Sequence, residues 1–348
     1  MNRLIIVGNG FDLAHGLKTS YADFLLWYLK KSMRNRENLE SKLITIEVGS
    51  SFVYHKCIDV SDLLSKSKVN GDTVRGIGRF IDSILEEALV RNWVDIERAY
   101  YKVLLKVYEI YKAKNDDSFK LKALEQLKNF NIQLEELTEE LVLYLKEQDG
   151  ANSLINDEFT KILKVNTMVS RDKVWTDVEH CKILNFNYTN TVSRYVNDIG
   201  SDKVSELKIH GSLDKLSSIV FGFGDEMDEN YEAIENLNEN VFFKHIKSFK
   251  YFQNSTYQNL ISFINSGVEF EVFVLGHSLG LSDRTMLNEI FNSEYLKRVK
   301  IFYYVSDDGK DDYTEKTFEI SRHFKDNANM RVKIVSKDLS EPMPKIIN

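Results

Sequence analysis

The stretch Leu4–Leu17, LIIVGNGFDLAHGL, carries the decision about the fold. Four apolar residues, three of them β-branched, run into a glycine turn and then into residues that favour a helix. A strand that turns at glycines into a helix is the opening of a βα unit. After Gly8 and Gly10 the dinucleotide fingerprint asks for a third glycine at position 13, but Leu13 stands there and the next glycine is Gly16. Gly8 and Gly10 allow two readings: a sharp turn that needs positive φ, or close approach of a phosphate to bare backbone at the start of a helix.

Further β-branched and apolar runs bounded by turn residues follow at Lys182–Asn187, Glu206–His210, Glu271–Gly276, Lys300–Val305 and Arg331–Ser336. With Arg3–Gly8 these make six candidate strands. Helical patterns such as DRTMLNEIFNSEYLKR (283–298) and DYTEKTFEISRHF (312–324) separate most of them. Strands alternating with helices predict an α/β fold: a mostly parallel, Rossmann-like sheet of about six strands flanked by helices. Residues 18–177 read as a large all-helical insertion after the first strand, so that 1–17 and 178–348 form the α/β nucleotide-binding domain. Ser20 and Asp23 make a capping start for the first helix of this insertion. Ala123, Leu127, Phe130, Leu134, Leu137, Leu141 and Tyr144 alternate steps of four and three, a coiled-coil-like seam of about three heptads. That seam packs as a helical hairpin inside the chain, or it offers a helix to a second subunit and makes a homo-oligomer. NWVDIE (92–97) recurs in form as VWTDVE (174–179), matching at the Trp, Asp and Glu positions. A capping acid with an anchoring tryptophan, or a contact from the insertion into the site, accounts for each.

Composition bounds the function. At 348 residues with a net charge of −7 and an isoelectric point near 5.7, the chain is not built for broad attachment to nucleic acid or anionic membrane. Cys57 and Cys181 share no close spacing and fit a reducing compartment. No apolar run approaches the roughly 20 residues of a membrane span, and the opening MNRLIIVGNG has too short an apolar run for an export signal. The expectation is a cytoplasmic protein, and no His-Glu-x-x-His or similar spacing calls for a metal.

Four of the inferred strands end in polar clusters: GNGFDLAHG (8–16), NFNYTNT (185–191), HGSLD (210–214) and GHSLGLSD (276–283). Carboxyl ends of strands are where α/β sheets bind ligands. The ordered set resembles the sirtuin pattern: Gly8, Gly10, Gly16 and Leu17 in the first loop, Asn187 in the second, His210 and Gly211 in the third, Gly276 and Ser278 in the fourth. With NWVDIE and the opening stretch, the arrangement along most of the chain resembles the AbiH family of bacteriophage abortive-infection proteins. The family resemblance implies antiviral defence through growth arrest or death of the infected cell, with a phage-derived trigger or partner. The more distant sirtuin likeness implies a pocket for NAD, with Asn187 and His210 at the positions that sirtuin-like defence effectors use to hydrolyse it. The crevice at these strand ends is expected to set Gly8, Asn9, Gly10, Phe11, Asp12, His15, Gly16, Asn187, Tyr188, Gly211, Gly276, His277, Ser278 and Asp283 around the nucleotide, Ser278 on a phosphate and Asp283 on a ribose or capping the following helix.

The sequence departs from the sirtuin pattern. Asp12 replaces a serine, Thr189 replaces the aspartate after Asn-x, and KTSY (18–21) replaces Pro-Asp-Phe-Arg. Two cysteines cannot build a four-cysteine zinc module, which argues against deacylation of acyl-lysine. Cleaving a nicotinamide–ribose bond passes through an oxocarbenium-like centre. Asparagine donates and accepts at once and suits orientation of ribose hydroxyls or water; histidine titrates near neutrality and suits a general base. Two other classes remain open. A non-catalytic sensor would bind NAD or ADP-ribose and signal through a partner. A hydrolase would use Gly276-x-Ser278-x-Gly280 as a nucleophile elbow, with Asp307 or Asp308 and His323 completing the set, although His323 falls inside a predicted amphipathic helix.

Overall fold

The computed structural model describes residues 1–34, 43–47, 54–69, 73–76, 78–91, 95–113, 116–149, 155–164, 178–224 and 229–346. The chain divides into two compact units, Met1–Leu17 with Leu145–Val220 and Lys247–Asn348, and Lys18–Tyr144 with Phe221–Ile246.

The first unit is built on six strands: β1 (Asn2–Val7), β4 (Cys181–Asn185), β5 (Val204–Lys208), β6 (Phe270–Leu275), β7 (Leu296–Tyr303) and β8 (Glu341–Pro342). They lie in the order β5-β4-β1-β6-β7-β8, and every neighbouring pair is parallel. Numbered by chain order among themselves, the strands read 3-2-1-4-5-6, the doubly wound dinucleotide-binding order. The winding reverses at β1, so the crevice of such a sheet opens between the carboxyl ends of β1 and β6. Helices Thr191–Ile199, Arg284–Asn292 and Tyr313–Ser321 supply crossovers.

Central strands covered on both faces are near-continuous apolar runs. β1 and β6 are buried throughout. Alternate side chains then divide between two cores. Leu4, Ile6, Val272 and Val274 pack with Leu260, Met286 and Ile290 on one face. Ile5, Val7, Phe273 and Leu275 pack with Phe11, Phe159 and Tyr195 on the other. Each such side chain contributes about 1.5–3 kcal/mol by leaving water. Near the amino ends of the strands, the fully buried Glu271 takes Arg3 on one oxygen and Arg298 on the other, each at 2.8 Å. This ion cluster ties three strands together at the edge away from the loops.

Five of the six expected runs are strands, with boundaries shifted by up to four residues. The sixth differs. Asn327–Lys333 is a helix because Asp326 caps it, accepting from the Ala328 and Asn329 amides; of the expected run only Ile334 is extended against the sheet, in a single parallel bridge to Val299 beside which the Val335 amide donates to the Val299 carbonyl. The sheet ends instead at β8, where Pro342 is tolerated because an edge strand leaves one side unpaired. The helix expected over 283–298 stops at Asn292, since Leu296–Arg298 belongs to β7. His323 lies just beyond the helix Tyr313–Ser321 rather than within it.

The second unit is mainly helical, with Tyr21–Arg34, Val60–Val69, Arg79–Arg91, Ile96–Ala113 and most of Asp117–Asp149. It is not all-helical as expected: β2 (Ile44–Glu47) and β3 (Thr73–Gly76) pair antiparallel. Ser20 and Asp23 form the capping start, the Ser20 hydroxyl accepting from the Asp23 amide at 3.1 Å and donating to its carboxylate at 2.5 Å. The seam from Ala123 to Tyr144 lies on one 33-residue helix, and all seven positions are buried within the chain. Asp95 caps the helix Ile96–Ala113 by accepting from the Arg98 amide. Buried Glu97 accepts from the Gly222 amide at 3.1 Å. Trp93, Trp175 and Asp177 lie outside the described residues; Glu179 pairs with the N-terminal ammonium. Among the described residues no helix is long and apolar enough to cross a membrane.

Candidate functional site

The β1 and β6 loops meet backbone to backbone. Gly8 is extended, with φ −130°, so its glycine is not there for a left-handed turn. A Cβ on Gly8 would lie 2.6 Å from His277 Cα, and one on Gly10 would lie 2.8 Å from the Gly276 carbonyl oxygen. The Gly10 amide donates to that same carbonyl at 2.8 Å. Gly276 has φ +71°, and its own Cβ would meet Phe11 N at 2.3 Å. These three glycines are thus explained by the contact of two adjacent loops. Gly16 ends the short helix Asn9–Ala14 with φ +77°, and Gly211 sits against the Ser218 carbonyl.

Asn187 is held at two points. Its amide N–H donates to Asn185 Oδ1 at 2.9 Å, and its side-chain NH2 donates to the Gly8 carbonyl at 3.1 Å. Asn185 is itself fixed by donating to Glu206 Oε1 at 2.7 Å. The chain Glu206–Asn185–Asn187–Gly8 therefore runs from β5 through β4 to the β1 loop. The side-chain bond uses the NH2 of Asn187 and leaves its oxygen the accepting role.

Asp12 is buried, and the Thr189 hydroxyl donates to its Oδ2 at 2.7 Å. Its Oδ1 is buried without a hydrogen-bond partner. Burial pushes the Asp12 carboxyl up to about 6, with the Thr189 and Thr191 hydroxyls opposing the shift. A carboxyl that titrates near neutrality is poised for proton exchange or ligand binding.

The densest cluster surrounds Asp283. One oxygen, Oδ1, lies 2.9 Å from Lys247 Nζ and 3.2 Å from His210 Nε2; Oδ2 lies 3.7 Å from His277 Nε2. All four side chains are buried. Asp283 occupies the N-cap position of Arg284–Asn292, but its side chain does not cap that helix. Burial alone would raise its carboxyl; the Lys247 ammonium and His210 outweigh burial and hold it well below the usual carboxylate range. Burial, joined by Lys247, pushes the His210 imidazole below its ordinary value, against Asp283 and a hydrogen bond to the Phe186 backbone carbonyl. His277 falls to about 3 through burial, with Asp283 opposing. The Leu279 amide donates to its Nδ1 at 2.9 Å, so the proton sits on Nε2 and points at Asp283. Tyr251 places its hydroxyl 3.4 Å from His210 Nε2, and the Phe186 ring touches both histidines.

The structure thus joins Gly8, Gly10, Asn187, Gly276, His277, His210 and Asp283 in one run of contacts. Tyr188 lies beside them, its ring 6.1 Å from His210 and its hydroxyl bonded to the Val220 carbonyl. Two expected ligand contacts are turned to the core instead. His15 bonds the Phe11 carbonyl at 2.7 Å and the Tyr195 hydroxyl at 2.6 Å. Phe11 packs on His15, Phe159 and Tyr195. Asn9 and Ser278 are exposed. The hydrolase constellation does not assemble. His323 Nε2 bonds the Leu279 carbonyl at 2.8 Å, Asp307 stands in solvent near Lys345, and Asp308 pairs with Lys310. The left-handed residues of GHSLG are Gly276 and Leu279, not the serine. Among the described residues no three His, Cys, Asp or Glu side chains converge on a metal position.

Sequence reasoning missed Lys247, Tyr251 and the hydrogen bond between Thr189 and Asp12. Lys247 lies in HIKSFKYF (245–252), which carries no loop signature. Its partner is distant in sequence, so only burial of a lysine marks it.

No curated protein matches the chain. The family model described as bacteriophage abortive infection AbiH matches residues 4–305, from the first strand through the seventh. That span takes in the loops that carry Gly8, Asn187, His210 and Asp283, and the chain belongs to the AbiH family of bacteriophage abortive-infection proteins.

Proposed function

We propose that this abortive-infection protein binds NAD or a related nucleotide at the carboxyl edge of its parallel sheet and hydrolyses the nicotinamide–ribose bond, with Asn187 and His210 acting on the reacting groups. The observation that carries the reading is the gathering of a doubly anchored Asn187 and a buried His210–Asp283 pair where the strand order reverses. The two largest departures from the sirtuin-like pattern, Asp12 and Thr189, fall on one hydrogen bond of 2.7 Å. A carboxylate and a hydroxyl that have changed places keep the same pair of groups beside Asn187. In the reaction, the Asn187 amide orients a ribose hydroxyl or water, and His210 accepts its proton as the C–N bond to nicotinamide breaks. Depletion of NAD after a phage-derived trigger then accounts for arrest of the infected cell.

A sensor that binds the nucleotide without cleaving it is the second reading. Its support is that the His210 ring already engages Asp283 and the Phe186 carbonyl, and that the Gly8, Gly10 and Phe11 amides donate within the protein.

Incubation of the purified protein with NAD, with nicotinamide and ADP-ribose resolved by chromatography, separates the two. Asn187→Ala and His210→Ala should each remove most nicotinamide release, about 10²–10⁴-fold for loss of a general base, with circular dichroism unchanged. Because His210 is held below its ordinary value of 6.5, the base form persists on acidification and the acidic limb of the rate should fall below that pH. Cleavage at full rate by His210→Ala removes His210 from the mechanism. Binding without cleavage selects the sensor.

A further inference from the structure

Asn185, the last residue of β4, is fully buried, and a buried amide persists where both of its ends are bonded. The Asn187 backbone N–H can only donate, so the Asn185 atom 2.9 Å from it is the side-chain oxygen. The Asn185 NH2 therefore faces Glu206 and donates to Oε1 at 2.7 Å. In the same way the Gly8 carbonyl can only accept, which turns the NH2 of Asn187 toward it at 3.1 Å. Glu206 stands on β5 opposite Ile183, two residues before Asn185 and on the same face of the sheet. The helix Thr191–Ile199 brings Ser193 to the other carboxylate oxygen, its hydroxyl donating to Oε2 at 2.6 Å. Both oxygens of Glu206 are thus acceptors. Reversing the Asn185 amide would set oxygen against oxygen at Glu206 and NH2 against N–H at Asn187.

We propose that Glu206 is a positioning residue for Asn187: held by Ser193, its carboxylate fixes which end of the Asn185 amide faces the β4 loop, and Asn185 Oδ1 then holds the Asn187 backbone where the side chain reaches Gly8. Without that carboxylate, nothing opposes the flipped amide, the Asn187 N–H loses its acceptor, and the side chain loses its place on the Gly8 carbonyl. The neighbouring bonds do not substitute for it. The Phe186 amide donates to the Val7 carbonyl and the Ile209 amide to the Asn185 carbonyl, each at 3.0 Å, which secures the strand ends but not the Asn187 N–H. Lys208, opposite Asn185 in the sheet, donates to Asn190 Oδ1 and has no acceptor to offer. Only the orienting task given to Asn187 is taken from the reading above.

The test is amide hydrogen exchange of the full-length, ligand-free protein, followed residue by residue by NMR. Glu206→Ala should speed exchange of the Asn187 amide by up to about tenfold, the factor carried by one hydrogen bond of ordinary net strength. The amides of Ile5 and Val274 in the central strands should keep their wild-type rates, whereas unfolding as a whole would move all three. Glu206→Gln keeps an acceptor for Asn185 and should stay near the wild type. Asn185→Asp combined with Glu206→Gln reverses the middle bond: the glutamine NH2 donates to one aspartate oxygen, and the other still accepts from Asn187. That pair should also keep the Asn187 amide protected. An unchanged Asn187 rate in folded Glu206→Ala overturns the proposal. Should Glu206→Ala fail to fold, the reversed pair decides: protection kept at Asn187 supports the network, and protection lost overturns it. In nicotinamide release, Glu206→Ala should lower kcat/KM but add little on top of Asn187→Ala, because a residue that acts through Asn187 then has nothing left to position. A loss that multiplies equally in both backgrounds is purely structural and overturns the role. A protein that shows the exchange change and never cleaves NAD keeps Glu206 in this role and refutes the cleavage reading alone.

Discussion

Asp12 gives the sharpest quantitative test, because its buried carboxyl makes stability depend on pH in the unusual direction. The group titrates near 3.8 when unfolded and is raised by burial to about 6 in the native protein. The native state therefore holds this proton more tightly than the unfolded chain. Its stability contribution is full below about pH 3.8 and is lost as the pH rises through about 6. At 1.36 kcal/mol per unit, ionisation of Asp12 costs about 3 kcal/mol at about pH 7.5 but only about 1 kcal/mol at about pH 4.5. Asp12→Asn keeps an oxygen for the Thr189 hydroxyl and removes the titration. It should be more stable than the wild type by up to about 3 kcal/mol at the higher pH, with a gap smaller by about 2 kcal/mol at the lower. Urea unfolding followed by tryptophan fluorescence at both pH values measures the two gaps. A variant no more stable at pH 7.5, or a gap indifferent to pH, refutes the reasoning. If Asp12 serves the nucleotide site proposed above, the stabilised variant should bind NAD more weakly.

Gly8→Ala should lower the melting temperature in calorimetry, because the new methyl must displace the His277 backbone and overpacking of this kind costs about 1–3 kcal/mol; an unchanged transition would contradict the loop-contact account of that glycine. A serine-reactive fluorophosphonate should leave Ser278 unlabelled by mass spectrometry, since His323 is committed to the Leu279 carbonyl. Stoichiometric labelling there would reinstate the hydrolase. If Ser278 instead contacts a ligand phosphate, Ser278→Ala should raise KM more than it lowers kcat, as loss of uniform binding does.

The runs of β1 and β6 were legible because a doubly covered parallel strand is apolar nearly throughout, a local property of the chain, whereas β4, β5 and β7 were marked by short apolar or β-branched runs between turn residues. The polar loops at their carboxyl ends were legible for the same reason, as were the Ser20–Asp23 cap and the buried seam from Ala123 to Tyr144. The last strand was not. Arg331–Ser336 has β-branched residues, yet a cap at Asp326 draws its start into a helix, and the two residues of β8 are too few to leave a pattern. The glycines were visible but ambiguous: sequence cannot say whether Gly8 and Gly10 approach a ligand or another loop, and the contact with Gly276 and His277 exists only once β1 and β6 are neighbours. Lys247 on Asp283 and Thr189 on Asp12 join residues 36 and 177 positions apart. The charge state of Asp12, His210 and Asp283 follows from burial and from partners supplied by other elements. No run of neighbouring residues encodes those partners, so the chemistry of the site was set by the tertiary structure.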